Sequence, residues 1–497
     1  MAPSPDPGSL FMLGLYGRRP DRRMVRLLQN TAARSVLLLG RNIASPAQLK
    51  AFTEELTQRL GRRILFAIDH EGGWVLRFER GMTAFPGNAA LGRVGEPKLA
   101  YATGRQMALE LSALGVGLNL APVLDVATSR YNPGIGIRSF GSDPRLAGKL
   151  GAAFLRGLQD HGVAACAKHF PGKGAATVDA HVELPTIALP RRLFEKDHLP
   201  PFARAVKEKV AAVMTSHVRF PAFDSKPATF SKTLTTGLLR RRLGFRGAII
   251  SDDLCMGAVT RTRPVAAAAA EAFDAGHDVL MVAHEPVLQQ EAVEAFRSLC
   301  AGDRRRLAAV AASSARLDEL LKYPRLRAAA DPARGRALAA AVAKGAVELV
   351  QQGRLALPLK AEDGPLLVLF PDFREVRHRF TLEGGPENPA RFVRRACARW
   401  GRARLLKTPV ETLDVSALRR AVAQAPRLLF FCFEARRFPG QAATLDLLKR
   451  LAPERTAVCL IRSSFDRSKL DARMTALDAR GYRLCQLGAA LEAVLEP

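Results

Sequence analysis

Short runs of consecutive apolar residues alternate with amphipathic stretches along the first two-thirds of the chain. The runs at 10–15, 35–39, 64–68, 118–124, 165–169, 212–216, 248–251 and 278–282 are nearly continuous, the pattern of parallel strands covered on both faces. Helical stretches lie between several of them. At Ser45-Pro46, Ser can cap orphan N–H groups and Pro suits a first turn; Leu49, Phe52, Leu56 and Leu60 then recur at helical spacing. Eight strands alternating with helices over roughly 300 residues predict a (β/α)8 TIM-like barrel. A doubly wound open sheet is the alternative, but no G-x-G-x-x-G motif follows a strand.

The pattern changes after the barrel. Residues 323–336, YPRLRAAADPARGR, have weak apolar periodicity and read as a linker. Helical sequence at 337–350 leads to new apolar runs at 366–370, 428–432 and 457–461, again separated by helical stretches. The expected division is a barrel in 1–325, a linker in 326–340 and a smaller C-terminal α/β domain in 341–497, which suits a chain of 497 residues.

Composition narrows the classes. Hydrophobic residues are 48% and charged residues 25%, enough to build full cores and unlike a disordered chain. The net charge of +28 admits two readings, an Arg-rich solvated surface or affinity for a polyanion. The charge is scattered and not interleaved with aromatics, which favours the surface and argues against nucleic acid. Runs such as Arg240-Arg241-Arg242 and Arg304-Arg305-Arg306 read as exposed helix faces. Seven widely spaced cysteines without a C-x-x-C pair argue against a disulfide framework or zinc site and suit a reducing cytoplasm. The first residues lack the basic start of a signal peptide, and no apolar run reaches the roughly 18 residues that span a bilayer.

Barrels of this kind build their sites at the C-terminal ends of the strands. Those ends are polar here: Asp69-His70-Glu71, Asp125, Lys168-His169, Ser216-His217 and Asp252-Asp253. Carboxylates at several strand ends suit attack on an anomeric carbon with proton donation to the leaving oxygen. A divalent metal held by Asp69, Glu71, Asp125 and Asp252 is the alternative.

Six segments carry a family resemblance. AIDHEGGWVLRF (67–78), APVLDVA (121–127), IGIRSFGSDP (135–144), KHFPGKGAATVDAH (168–181), VMTSHVRFPAFD (213–224) and LLRRRLGFRGAIISDDLCMGA (238–258) resemble glycoside hydrolase family 3, in its bacterial β-N-acetylglucosaminidase branch. The resemblance implies a retaining enzyme that removes terminal β-N-acetylhexosamine from peptidoglycan fragments without a cofactor. It implies Asp252 as nucleophile, His181 as general acid/base with Asp179 as its partner, and Asp69, Arg77, Arg138, Lys168 and His169 as residues that hold the sugar hydroxyls; Asp253 reads as structural. Histidine suits the double duty of a retaining mechanism near neutrality, and a carboxylate partner fixes its tautomer.

Some positions depart from the family pattern. Lys173, Ala175 and Ala176 stand where the loop usually carries His, Asp and Thr, and His70 and Trp74 where Gln and Arg are usual. Trp74 reads either as a sugar-stacking platform or as a packed core aromatic. Three other functions stay open at this stage: a glycoside phosphorylase, a β-glucosidase of the same family, and a degenerate barrel that binds acidic polymers. The expected partner is a small oligosaccharide or muropeptide, with no membrane involved.

Overall fold

The computed structural model describes residues 5–496 except 79, 130–131, 181–182, 325–328, 380–381, 383 and 400–401. It divides into two units, one of Met1–Glu71 with Gly95–Asp331, the other of Gly72–Val94 with Pro332–Pro497.

The first unit is built on strands β1 (Phe11–Gly14), β2 (Ser35–Leu38), β3 (Leu65–Ile68), β4 (Val116–Asn119), β5 (Ala164–Phe170), β6 (Ala212–Thr215), β7 (Ala248–Ile250) and β8 (Leu280–Val282). They pair in parallel in the order β7-β6-β5-β4-β3-β2-β1-β8. A parallel bridge between Ile250 and Val279 joins the two ends of the sheet. The fold is therefore the expected barrel and not an open sheet.

Every strand residue is buried, which is why the apolar runs are continuous. Alternate positions nevertheless part. Met12, Leu37, Ala67, Cys166, Met214, Ile250 and Met281 belong to one core cluster, sealed by Leu317, Leu320 and Leu321 of the helix Arg304–Leu321. Around the sheet, the helix Pro46–Leu60 starts as its sequence dictates: Ser45 Oγ accepts the Gln48 N–H at 3.2 Å, and Leu49, Phe52 and Leu56 are buried while Leu60 is only half-buried. The helices Pro97–Ser112 and Pro144–Asp160 cross closely. A Cβ on Gly104 would lie 2.2 Å from the Phe154 carbonyl oxygen, and one on Gly157 would lie 2.2 Å from that of Tyr101.

Strand β4 ends earlier than its apolar run. Pro122 lacks an N–H and cannot continue the ladder. The chain beyond still bonds to β5, with Cys166 N–H donating to Ala121 O and Leu124 N–H to Lys168 O. Another difference concerns Arg240, which is not a solvated helix face. It is half-buried and its guanidinium pairs with Asp278 at the foot of β8. Arg304 and Arg305 are exposed, as expected, while Arg306 is half-buried against Asp274 and Asp303.

The second unit holds a sheet of β9 (Glu348–Gln351), β10 (Leu366–Pro371), β11 (Ala403–Thr408), β12 (Arg427–Cys432), β13 (Thr456–Leu460) and β14 (Thr475–Asp478). Its order is β11-β10-β12-β13-β14-β9, parallel except for β9. Helices cover both faces: Val368, Phe370, Leu429 and Phe431 join one core, Leu367, Leu369, Leu428 and Phe430 the other. Of the segment expected to link two domains, residues 332–340 are not a loop; they form the first part of the helix Pro332–Ala346. Residues 325–328 lie outside the described residues. The segment Gly72–Val94 belongs to this unit as well. Trp74 is half-buried there, with Phe433 and Tyr482 at 6.5 and 5.9 Å between ring centroids and the Arg462 guanidinium 3.3 Å from its ring. Of its two readings, the packed aromatic is the one observed.

No helix among the described residues is long and apolar enough to cross a membrane. All seven cysteines are free thiols.

Gly104→Ala is expected to destabilise the protein by about 2 kcal/mol, the scale of overpacking a tight interface. Thermal or denaturant unfolding of the variant beside wild type measures this. An unchanged midpoint would mean that the two helices can separate at no cost.

Candidate active site

The alternation that fills the barrel also supplies its mouth. Two residues beyond core-facing Ala67, Cys166 and Ile250 come Asp69, Lys168 and Asp252, so a period of two carries charged groups to the interior-facing side just above the last apolar layer. The Cys166 thiol lies within electrostatic reach of all three; burial, reinforced by the two aspartates, pushes it up to about 12.

Lys168 is the hub. Its ammonium, in a side chain only 2% exposed, donates to Asp69 Oδ1 at 2.7 Å and lies 2.7 Å from Glu71 Oε1. Arg138, in the short turn Gly136–Arg138, grips Glu71 with a fork of two hydrogen bonds, both 2.8 Å, and donates a third to Gly134 O. Burial opposes charge on Glu71, but Arg138 and Lys168 outweigh it and hold the carboxyl below its usual range. Burial likewise works against Lys168, and Asp69 and Glu71 reverse it, holding the ammonium above the usual lysine range. The four groups form a compensated network in which the burial of Lys168 and Glu71 is offset by opposite charges at contact distance.

A second cluster is centred on Asp125, beyond β4. Its Oδ2 meets His169 Nδ1 at 2.7 Å, and its Oδ1 accepts the Lys173 N–H at 2.6 Å. Burial raises the Asp125 pKa above the usual range, against the Lys173 charge and the N–H groups that favour the anion. This cluster fixes the His169 ring and anchors the loop after β5. That loop packs tightly: a Cβ on Gly174 would lie 1.7 Å from Val126 O, so only glycine fits there. Asn132 Nδ2 donates to both Lys173 O and Gly174 O.

At the end of β7 the two aspartates differ. Asp253 faces the fold: its Oδ1 accepts the N–H groups of Cys255 and Ala283, and burial raises its pKa. Half-buried Asp252 accepts the Asp253 N–H at 2.9 Å. His217 is kept neutral by burial. It is held between Thr229 Oγ1 and Asp253 O, in the same electrostatic neighbourhood as Asp252. Asp179 is half-buried and its carbonyl accepts the Glu183 N–H; the next residue, Ala180, accepts from Ala258 N–H and packs on Met256.

The first unit thus brings together Asp69, Arg138, Lys168, His169, Asp179 and Asp252. His181 lies outside the described residues. Arg77 lies in the segment Gly72–Val94 of the second unit and is half-buried there. Two carboxylates of this cluster received no role in the hydrolase reading of the sequence: Glu71, which pairs with Lys168 and Arg138, and Asp125, which holds His169. Their signal was present as acids at strand ends, but only the fold shows which cation each one meets. Among the described residues no three His, Cys, Asp or Glu side chains are grouped to hold a metal ion. In this arrangement the Lys168 ammonium sits between the two acids that a metal would have shared.

Comparison with known proteins gives the family. The model of the Glycosyl hydrolase family 3 N terminal domain matches residues 8–317. A β-hexosaminidase of Thiobacillus denitrificans is 38% identical over 272 residues, 54% of this chain and 76% of the relative. The structure of a glycoside hydrolase family 3 β-N-acetylglucosaminidase from Paenibacillus sp. superposes with a TM-score of 0.90 at 29% identity, covering 98% of this chain and 95% of that one. NagZ from Neisseria gonorrhoeae, solved with N-trifluoroacetyl-D-glucosamine, aligns with a TM-score of 0.59 at 31% identity over 68% of this chain and 98% of its own.

Lys168→Met would leave Asp69 and Glu71 without their shared cation. The expected loss is about 3–5 kcal/mol at pH 7, the scale for removing one partner of a buried pair. Because the Glu71 pKa is lowered on folding, the stabilisation is complete above the ordinary carboxylate range and disappears as the pH falls through the folded-state value. Denaturant unfolding at pH 7 and in acid should therefore show the variant and wild type converging as the pH drops. Equal stability at pH 7 would contradict the network.

Proposed function

The chain belongs to glycosyl hydrolase family 3 and is a glycosidase; from that premise we propose that it removes terminal, non-reducing β-linked N-acetylglucosamine by a retaining mechanism. The observation that carries the reading is the charged mouth of the barrel, where Asp252 stands above the apolar layer with the Lys168–Asp69–Glu71–Arg138 network in the same unit. The relatives named β-hexosaminidase and β-N-acetylglucosaminidase support the acetamido sugar.

In this mechanism Asp252 attacks the anomeric carbon and forms a glycosyl ester, while His181 protonates the leaving oxygen and then deprotonates the incoming water. Asp179 holds the His181 tautomer and balances its charge. Asp69, Lys168, Arg138 and His169 receive the sugar hydroxyls, and Arg77 is a further candidate for that task. The paired charges suit this work: their partners are already in place, so little reorganisation accompanies binding. We assign the natural substrate to peptidoglycan fragments and the site of action to the cytoplasm. Seven free cysteines, five of them buried, support a reducing compartment.

Turnover of 4-nitrophenyl N-acetyl-β-glucosaminide beside the matching β-glucoside tests the reading. Wild type is expected to cleave the acetamido substrate, and Asp252→Asn to lower kcat by about a thousandfold or more, as loss of a nucleophile does. His181→Ala should cost about a hundredfold or more on a poor leaving group, the range of general acid catalysis, and less on the activated aryl group. Cleavage of the glucoside alone would move the protein to the β-glucosidases. Inert, well-folded wild type would overturn the N-acetylglucosaminidase reading.

A further inference from the structure

Trp74 is packed, but Tyr16 is an aromatic residue that meets water: it is 45% exposed. It follows β1, two residues past Gly14 and four past Met12 of the interior core. A period of two therefore puts it on the interior side of the barrel mouth, as it does Asp69, Lys168 and Asp252. The Arg41 guanidinium covers its ring at 3.9 Å from the centroid, and among the described residues no other ring or cation stacks on it. Arg41 itself is built in. It spans β1 from the end of β2 to the end of β8: its Nε donates to Leu15 O at 2.7 Å, its Nη2 to Ala283 O at 2.7 Å and its Nη1 to His284 Nδ1 at 3.1 Å. Gly14 makes the crossing possible, since a Cβ there would lie 2.1 Å from Ala283 O and 2.9 Å from Arg41 Nη2. A guanidinium only donates, so His284 Nδ1 accepts, and His284 Nε2 faces Asp253 Oδ2 at 3.6 Å.

A guanidinium has five N–H groups, and these contacts use three. One N–H on each terminal nitrogen is left without an acceptor among the described residues. Burial lowers the Arg41 pKa, and Tyr16, Asp253 and Glu285 work against that. With two acids already in its field, the guanidinium suits neutral oxygens better than a further anion. We propose that Tyr16 and Arg41 form a subsite for the sugar ring of the leaving group: the ring stacks on Tyr16 and its hydroxyl oxygens accept from Arg41. This rests on the glycosidase reading above, with Asp252 as nucleophile; Asp253, which His284 faces, is the direct neighbour of Asp252 at the end of β7. A pyranose offers an apolar face of C–H groups and a rim of hydroxyls. An exposed aromatic ring beside unused donors matches both. The subsite favours a disaccharide over a glycoside whose leaving group is a small alcohol.

The test compares N,N′-diacetylchitobiose, a β-linked disaccharide of N-acetylglucosamine, with methyl N-acetyl-β-glucosaminide, which has no second ring. Tyr16→Ala should lower kcat/KM on the disaccharide about tenfold more than on the methyl glycoside, the scale of one aromatic contact. Tyr16→Phe keeps the ring and should restore the wild-type ratio. An unchanged ratio in Tyr16→Ala overturns the proposal, even if both rates fall, because general damage to the fold lowers both alike. Calorimetric titration of Asp252→Asn reads the same contact without turnover. The disaccharide should bind about tenfold tighter than N-acetylglucosamine, and adding Tyr16→Ala should remove that advantage. Equal binding of the two sugars, or none, overturns the subsite. Wild-type turnover decides the glycosidase reading separately, so the two failures are distinguishable.

Discussion

A lysine ammonium buried between two carboxylates is the constraint on which the barrel mouth depends. Lys168 and Glu71 have almost no access to water, Asp69 beside them is half-buried, and a charge so buried is costly without an opposite partner. Each is charged because the others are, and Arg138 completes the balance from a separate turn. The strands cannot change register without breaking this set, since a shift of one residue would turn the charged groups outward. Stability and function are therefore tied to the same few atoms. The network that lets the barrel close over charge is the one proposed to meet a sugar's hydroxyls.

Around that hub the site divides by electrical role. The Asp125 cluster orients His169 and, through the Lys173 N–H, anchors the loop after β5. Asp253 accepts the backbone N–H groups of Cys255 and Ala283, whereas half-buried Asp252 accepts the N–H of Asp253. One residue of difference in sequence thus separates an acid bound to the fold from the one proposed as nucleophile, because successive side chains near a strand end face opposite ways.

The +28 charge has a plainer counterpart. Many arginines pair with acids on or near the surface, as Arg34 does with Asp318 and Arg297 with Asp6, and such pairs contribute little individually. Others, such as Arg240 and Arg462, are drawn inward to partners that local sequence does not reveal. In the second unit, the Arg462 guanidinium over Trp74 and its pairing with Glu434 keep a cation inside an aromatic core.

The sequence by itself determined the eight-strand alternation, the apolar runs β10, β12 and β13, the capped start of the helix Pro46–Leu60, and the crowding of acids and bases at strand ends. It could do so because burial on both faces and capping leave local signatures of composition and spacing. It missed β9 and β11, the edge strands of the second sheet, because edge residues stay partly exposed and carry no apolar run; β14 was missed because it is short and polar although buried. Only the tertiary structure decided which cation meets which carboxylate, that Trp74 packs with Phe433 and Arg462, and that Gly72–Val94 belongs with the C-terminal unit. Those outcomes join residues far apart in the chain, such as Asp69 with Lys168 and Trp74 with Arg462. The reason is physical: a charge or an aromatic ring records in sequence what it needs, while the partner that satisfies it is set by the path of the folded backbone.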